Sequence, residues 1–173
     1  MSNTKTKWLV ETGLMTALLI VLQMLTKSFG QLVTGTCVNA VLAVSALAIG
    51  FSSGITVAIL SPFFAFLLGI GPQLFPITPA IAVGNCALVI VLCLLCRNKE
   101  TQLRGIIVCF TAAFAKFITL YLLVVQLLCN VLALPEKQVA TFSVMFSWPQ
   151  LITAFIGSFV SFIIVRRIKS IIK

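Results

Sequence analysis

The sequence predicts an all-α, polytopic membrane protein folded as a bundle of six transmembrane helices. Three observations carry that expectation. Apolar residues make up 61% of the 173 residues and charged residues 9%, against roughly 45–50% and about 25% in soluble domains. The mean hydropathy is +1.21. The apolar residues also fall into separate runs of helix-spanning length, and a hydrocarbon core of roughly 30 Å needs about 20 of them in a helix. A chain of this length makes one domain, so residues 1–173 are read as a single membrane unit.

The spans follow in order. Trp8–Thr26 is the first apolar run, preceded by Lys5 and Lys7. It is too long for a signal-peptide core and has no Ala-x-Ala-like cleavage site, so it is read as a span. Leu32–Gly50 is the second and ends in Gly50-Phe51-Ser52-Ser53-Gly54, a turn signal. Ile55–Gly69 is the third and is short; Gly69-Ile70-Gly71-Pro72, with Pro76 and Pro79, breaks it. The fourth, Ile77–Cys96, closes on Arg97-Asn98-Lys99-Glu100. Gly105–Leu128 is the fifth and longest. A mixed stretch from Cys129 to Ser147 follows, and the sixth span, Trp148–Val165, stops at Arg166-Arg167.

Lysine and arginine orient the bundle. With six spans and the N-terminus inside, one side holds Lys5, Lys7, Arg97, Lys99, Arg104, Arg166, Arg167, Lys169 and Lys173, and the other only Lys27 and Lys137. Both termini are therefore expected in the cytoplasm of a bacterial-type plasma membrane. The net charge of +9 is explained by this clustering at span ends and points to topology, with no nucleic-acid partner.

The composition also narrows the chemistry. The chain has no His, and its three acidic residues are all Glu. No catalytic constellation, metal site or cofactor is expected. Cys93-x-x-Cys96 lies at the end of an apolar helix without a second pair, so the six cysteines read as small apolar residues.

Polar side chains then stand out by position. Of the amides, Gln23, Gln31, Asn39, Gln73, Asn85, Gln126, Asn130, Gln138 and Gln150 fall in outer loops or outer half-spans. An outward-facing polar cavity accounts for that bias, as does ordinary loop solvation; for Asn39 and Asn85 the alternative is hydrogen bonding between helices. Lys116 sits about twelve residues from each end of the fifth span, roughly 15 Å from either surface at 1.5 Å per residue. Its stem cannot snorkel that far, and no acid lies at its depth. It is either a structural tie between helices or the recognition point for an anionic or strongly dipolar ligand. Glu11 is expected at the cytoplasmic interface near Lys7. Gly13 and Ala17, with Thr12 and Thr16, form small-residue pairs on the first span that let another helix approach closely, as do Gly157 and Ser161 on the sixth.

Short helices, inward termini, Thr12-Gly13-Leu14-Met15-Thr16-Ala17-Leu18 in the first span and Gly50-x-x-Ser53-Gly54 before the third form a pattern. The pattern resembles the substrate-binding S components of energy-coupling factor (ECF) vitamin transporters. That family carries Ala-x-x-x-Ala on its first helix against a transmembrane coupling subunit; Gly13 and Ala17 occupy the matching places here. The resemblance implies a substrate-specificity subunit that binds a small anionic or zwitterionic nutrient from outside. It implies Lys116, Asn85, Gln126, Trp148, Gln150 and Gln31 as pocket residues, beside Asn39, and ATPase partner subunits in the cytoplasm. Independently, the chain has no phosphate-cradling loop and no Asp for magnesium. The alternatives are a self-sufficient secondary transporter or facilitator, and a non-transport accessory subunit in the membrane lipid. ATPase dependence separates the first from the S component, and a copurifying small molecule counts against the second.

Overall fold

The computed structural model describes residues 2–96 and 101–171. Arg97, Asn98, Lys99, Glu100 and Lys173, which carry part of the expected orientation, lie outside them. Among the described residues there is no strand. The elements are α1 (Ser2–Thr26), α2 (Gly30–Val44, continued by a π-helical turn Ser45–Ile49), α3 (Phe51–Leu67), α4 (Ile77–Leu95), α5 (Gln102–Leu120), α6 (Glu136–Met145) and α7 (Trp148–Ile171). Helix α5 runs on through a π-helical stretch, Tyr121–Leu128, to Cys129–Val131.

Among the described residues, four helical runs are long and apolar enough to cross a membrane: Thr4–Ile49, Ile77–Leu95, Gln102–Val131 and Glu136–Ile171; Phe51–Leu67 is a shorter apolar helix. The first run folds back on itself. Lys27–Phe29 tightens to a 3-10 turn, Gly30 takes φ +82°, and α2 then packs along α1. The Thr34 hydroxyl donates to the Thr26 carbonyl at 2.8 Å across this corner.

Two boundaries differ from the sequence expectation and one agrees with it. The turn expected over Gly50–Gly54 is Gly50 alone, at φ +137°; Phe51 already opens α3 and the Gly54 N–H donates to the Gly50 carbonyl. The α3–α4 break falls where expected, with Gly69 and Gly71 at φ +66° and +77°. The mixed stretch before the last helix contains α6, entered through Ala133 at φ +46°. Phe142 and Phe146 from this segment join Ile77, Leu120 and Val124 in an apolar cluster.

The helices neighbour one another in a ring, α1–α2–α7–α5–α4–α3 and back to α1, and α2 also touches α3 and α4. The larger core cluster fills the middle with Leu19, Leu42, Val57, Leu88, Val108 and Phe162. Close approach depends on small residues. A Cβ on Gly157 would lie 2.7 Å from the Thr36 carbonyl oxygen and 2.8 Å from the Ala40 nitrogen. The Ser161 hydroxyl donates to the Ala40 carbonyl at 2.8 Å. The small pair on the last helix therefore seals α7 against α2, inside the bundle.

Candidate functional site

A cavity of about 400 Å³ opens at the end of the bundle that carries the α1–α2 turn, the α3–α4 loop and α6. Its lining comes from α1 to α5 and from residues 145, 146 and 150 beside α6 and α7. Among the described residues, two charged ones line it, Lys27 and Lys116, and no carboxylate does.

Lys116 is the centre of its polar part. It is 3% exposed. Its Nζ donates to Asn39 Oδ1 and to Asn85 Oδ1, each at 2.6 Å. Asn39 stands on α2, which is not beside α5 in the ring, so the lysine reaches across the interior. The small Cys109, Ala112 and Ala113 on its own helix keep that side narrow.

Each asparagine is oriented from behind. Asn39 Nδ2 donates to Thr153 Oγ1 at 3.4 Å, and that hydroxyl passes its own proton to the Gln150 carbonyl at 3.3 Å. Asn85 Nδ2 donates to the Ala58 carbonyl at 3.3 Å. That carbonyl is free for a sequence reason: four residues on stands Pro62, inside α3 and without an N–H. A carbonyl that can only accept lies on one side of Asn85 and an ammonium that can only donate on the other. Together they fix which way the amide points. Two of the three ammonium protons are thus satisfied; among the described residues the third has no protein acceptor.

At the mouth, Gln31 Nε2 donates to the Met145 carbonyl at 2.7 Å and Gln150 Nε2 to the same carbonyl at 3.4 Å. Lys27 Nζ donates to the Leu68 carbonyl at 3.0 Å, tying the α1–α2 turn to the end of α3.

The structure therefore gathers Lys116, Asn39, Asn85, Gln31 and Gln150 around one cavity, as the sequence suggests. It does not bring Gln126 or Trp148 there. Along the π-helical stretch only Val124 is buried; Gln126, two residues further round, is exposed and bonds Tyr121 Oη at 3.4 Å. Trp148 is 57% exposed, while the adjacent Pro149 faces inward. Sequence reasoning missed Gln23, Ser61 and Thr78 as lining residues, and Thr153 behind Asn39. Gln23 had a signal, an amide inside the first apolar run. A serine or threonine in a membrane helix carries almost none, because its own helix usually absorbs the hydroxyl.

The model of the ECF transporter substrate-specific component matches residues 7–168, nearly the whole chain. The chain belongs to that family. Neither a curated protein nor a solved structure matches it. Membership makes this S component a transport-specificity subunit and not an enzyme, a multi-pass membrane protein that associates with ECF module components and takes a small-molecule substrate. Its four long apolar runs agree with that setting.

The small residues of the S component's first helix divide. Gly13 and Ala17 are exposed, and a Cβ on Gly13 would meet nothing within 4 Å. Thr12, expected to share their surface, is 4% exposed and donates to Ser53 Oγ at 2.9 Å. It stands about 100° round the helix from Gly13 and packs against α3. Thr16 is half-buried and donates to the Thr12 carbonyl. Lys7 and Glu11 pair at 3.8 Å, one turn apart, at the expected end of the helix.

Proposed function

We propose that this S component binds a small, vitamin-like nutrient, anionic or zwitterionic, in the cavity at the loop end of the bundle. It delivers that nutrient through partner subunits that hydrolyse ATP. The observation that carries the proposal is the state of Lys116. A buried ammonium is expensive unless an opposite charge meets it, yet only two neutral amide oxygens do. The third proton and the missing negative charge are what a bound carboxylate, or a similar anion, would supply. Asn39 and Asn85 hold the ammonium in place, and Gln31 and Gln150 flank the entrance. Gln126 and Trp148 stay outside this assignment.

The same reading gives the chain six membrane crossings as a single membrane domain. Its termini are cytoplasmic and the cavity opens outward across the plasma membrane. A thiol introduced near Gln73 or Glu136 should react with an impermeant reagent applied outside, and one near Arg166 should not. The partner surface is the exposed pair Gly13 and Ala17 with Thr16 at its edge, and Thr12 is left out of it. Ala17→Leu should lower uptake while leaving nutrient affinity of the isolated chain within a few-fold; loss of affinity as well would return Ala17 to internal packing.

The deciding experiment is Lys116→Met, which keeps the stem and removes the charge. Losing one member of a buried ion pair costs on the order of 3–5 kcal/mol, or about two to four decades of affinity. The variant should insert normally and bind at least a hundredfold more weakly. Unchanged binding would make the lysine a tie between helices. Uptake that proceeds in vesicles without ATPase partners would favour a self-sufficient transporter.

A further inference from the structure

Besides Lys116 and its partners, the cavity is lined by three polar side chains with no protein partner among the described residues. Gln23, in the last turn of α1, Ser61, late in α3, and Thr78, in the first turn of α4, are each 2% exposed. All three line the cavity. Among the described residues none of them makes a hydrogen bond to protein, and Gln23 Oε1 is fully enclosed without a partner.

Enclosed polar atoms without a partner also occur at Trp8, Ser45 and Ser158, but none of those residues lines the cavity. Thr16, Thr36, Thr56, Thr111 and Thr119 all donate to the carbonyl four residues back on their own helix. Ser61 has the Val57 carbonyl at the same offset and leaves it alone. A buried polar group without a partner is costly, and these three, from α1, α3 and α4, line one cavity. The primary amide presents a donor and an acceptor side by side, and each hydroxyl does either. No carboxylate lines the cavity to receive an ammonium, and the two lining charges, Lys27 and Lys116, are both positive.

We propose that Gln23, Ser61 and Thr78 form a second subsite, which takes an uncharged donor–acceptor edge such as an amide, a lactam or a hydroxylated ring. This rests on the anion-binding reading above and sharpens it. The nutrient is then a molecule with an anionic group for Lys116 and a neutral hydrogen-bonding end for α1, α3 and α4. Helix α1 serves two surfaces, Gly13 and Ala17 outward and Gln23 inward.

The test uses the full chain purified in detergent and an equimolar mixture of water-soluble vitamins and their biosynthetic precursors as the probe. The retained compound is identified by mass spectrometry, and its affinity is then measured for the parent and for Gln23→Met, Ser61→Ala, Thr78→Val and Lys116→Met. The retained compound should carry both an anionic group and a neutral donor–acceptor edge. Gln23→Met and Thr78→Val should each weaken it about tenfold to a hundredfold, the effect of leaving a ligand hydrogen bond unmade. Neither should lower the melting temperature of the compound-free protein, because no protein partner is lost. Retention of a compound without such an edge overturns the subsite. So does binding within twofold of the parent by both variants while Lys116→Met loses it, a result that leaves the anion reading standing. A melting temperature several degrees lower for Gln23→Met would show a structural partner and also overturn it. If Lys116→Met binds like the parent while Gln23→Met loses affinity, the subsite stands and the anion reading fails. If nothing is retained, both fail.

Discussion

Two sets of buried polar groups around the same cavity are in opposite conditions. In one, Lys116, Asn39, Asn85 and Thr153 form a continuous hydrogen-bonded chain from the Gln150 carbonyl to the Ala58 carbonyl, with one ammonium proton left for a ligand. In the other, the side chains of Gln23, Ser61 and Thr78 have no hydrogen-bond partner among the described residues. The connected set fixes the position of a charge before anything binds. The unconnected set leaves hydrogen-bonding capacity for whatever enters. The difference is that between preorganisation and recognition, and it makes the two sets respond oppositely to truncation. A member of a satisfied network cannot be removed without stranding its neighbours, whereas removing an unpartnered group strands none.

The largest effect should come from breaking the connected set. Asn85→Leu leaves Lys116 with one acceptor and the Ala58 carbonyl with no donor. A stranded buried group costs about 1–3 kcal/mol. Two of them should lower the apparent melting temperature by roughly 5–15 °C for a chain of this size. Gln23→Met should hold or raise it. Equal losses from both substitutions would erase the distinction between the sets.

A double-mutant cycle sharpens the same comparison with a smaller effect. In Lys116→Met/Asn85→Leu the charge that Asn85 served is gone, so the second substitution should cost less than it does alone. A coupling of about 1–3 kcal/mol is expected for groups in one network. Gln23→Met combined with Asn85→Leu should be additive within about 0.5 kcal/mol. Strict additivity in the first pair would mean that the bond at 2.6 Å contributes nothing measurable.

These contrasts also mark where sequence reading stops. The all-helical, apolar character was legible because hydrocarbon imposes length and apolarity on every crossing. Lys116, Asn39 and Asn85 were legible for the same reason, being strongly polar residues far from any span end. Their mutual contact was not, because it depends on α2 lying across the ring from α5. Thr12 and Gly13 are adjacent in sequence but lie about 100° apart round the helix, one buried and one exposed, so a small-residue motif identifies a helix and not a face. The place of Gln126 was not legible either, because the π-helical stretch carries it to the outside, away from this cavity. Helix α6 was hidden in a segment of mixed composition, where hydropathy has no contrast to report.

Pro62 should give the smallest effect and the most specific one. Its missing N–H leaves the Ala58 carbonyl for Asn85 Nδ2, and that bond turns Asn85 Oδ1 toward Lys116. Pro62→Ala returns an N–H to α3, which would donate to the Ala58 carbonyl and weaken the hold on Asn85. The helix itself should gain, since proline in a helix interior costs about 3 kcal/mol. Stability should therefore be level or higher while nutrient affinity falls about threefold to tenfold, the size expected from loosening a positioned group without removing it. The control is the same substitution on an Asn85→Leu background. There the carbonyl has no amide left to orient, and Pro62→Ala should leave affinity where Asn85→Leu put it. A further equal loss on that background would mean that the proline shapes the cavity wall directly, and the link through Asn85 would be wrong.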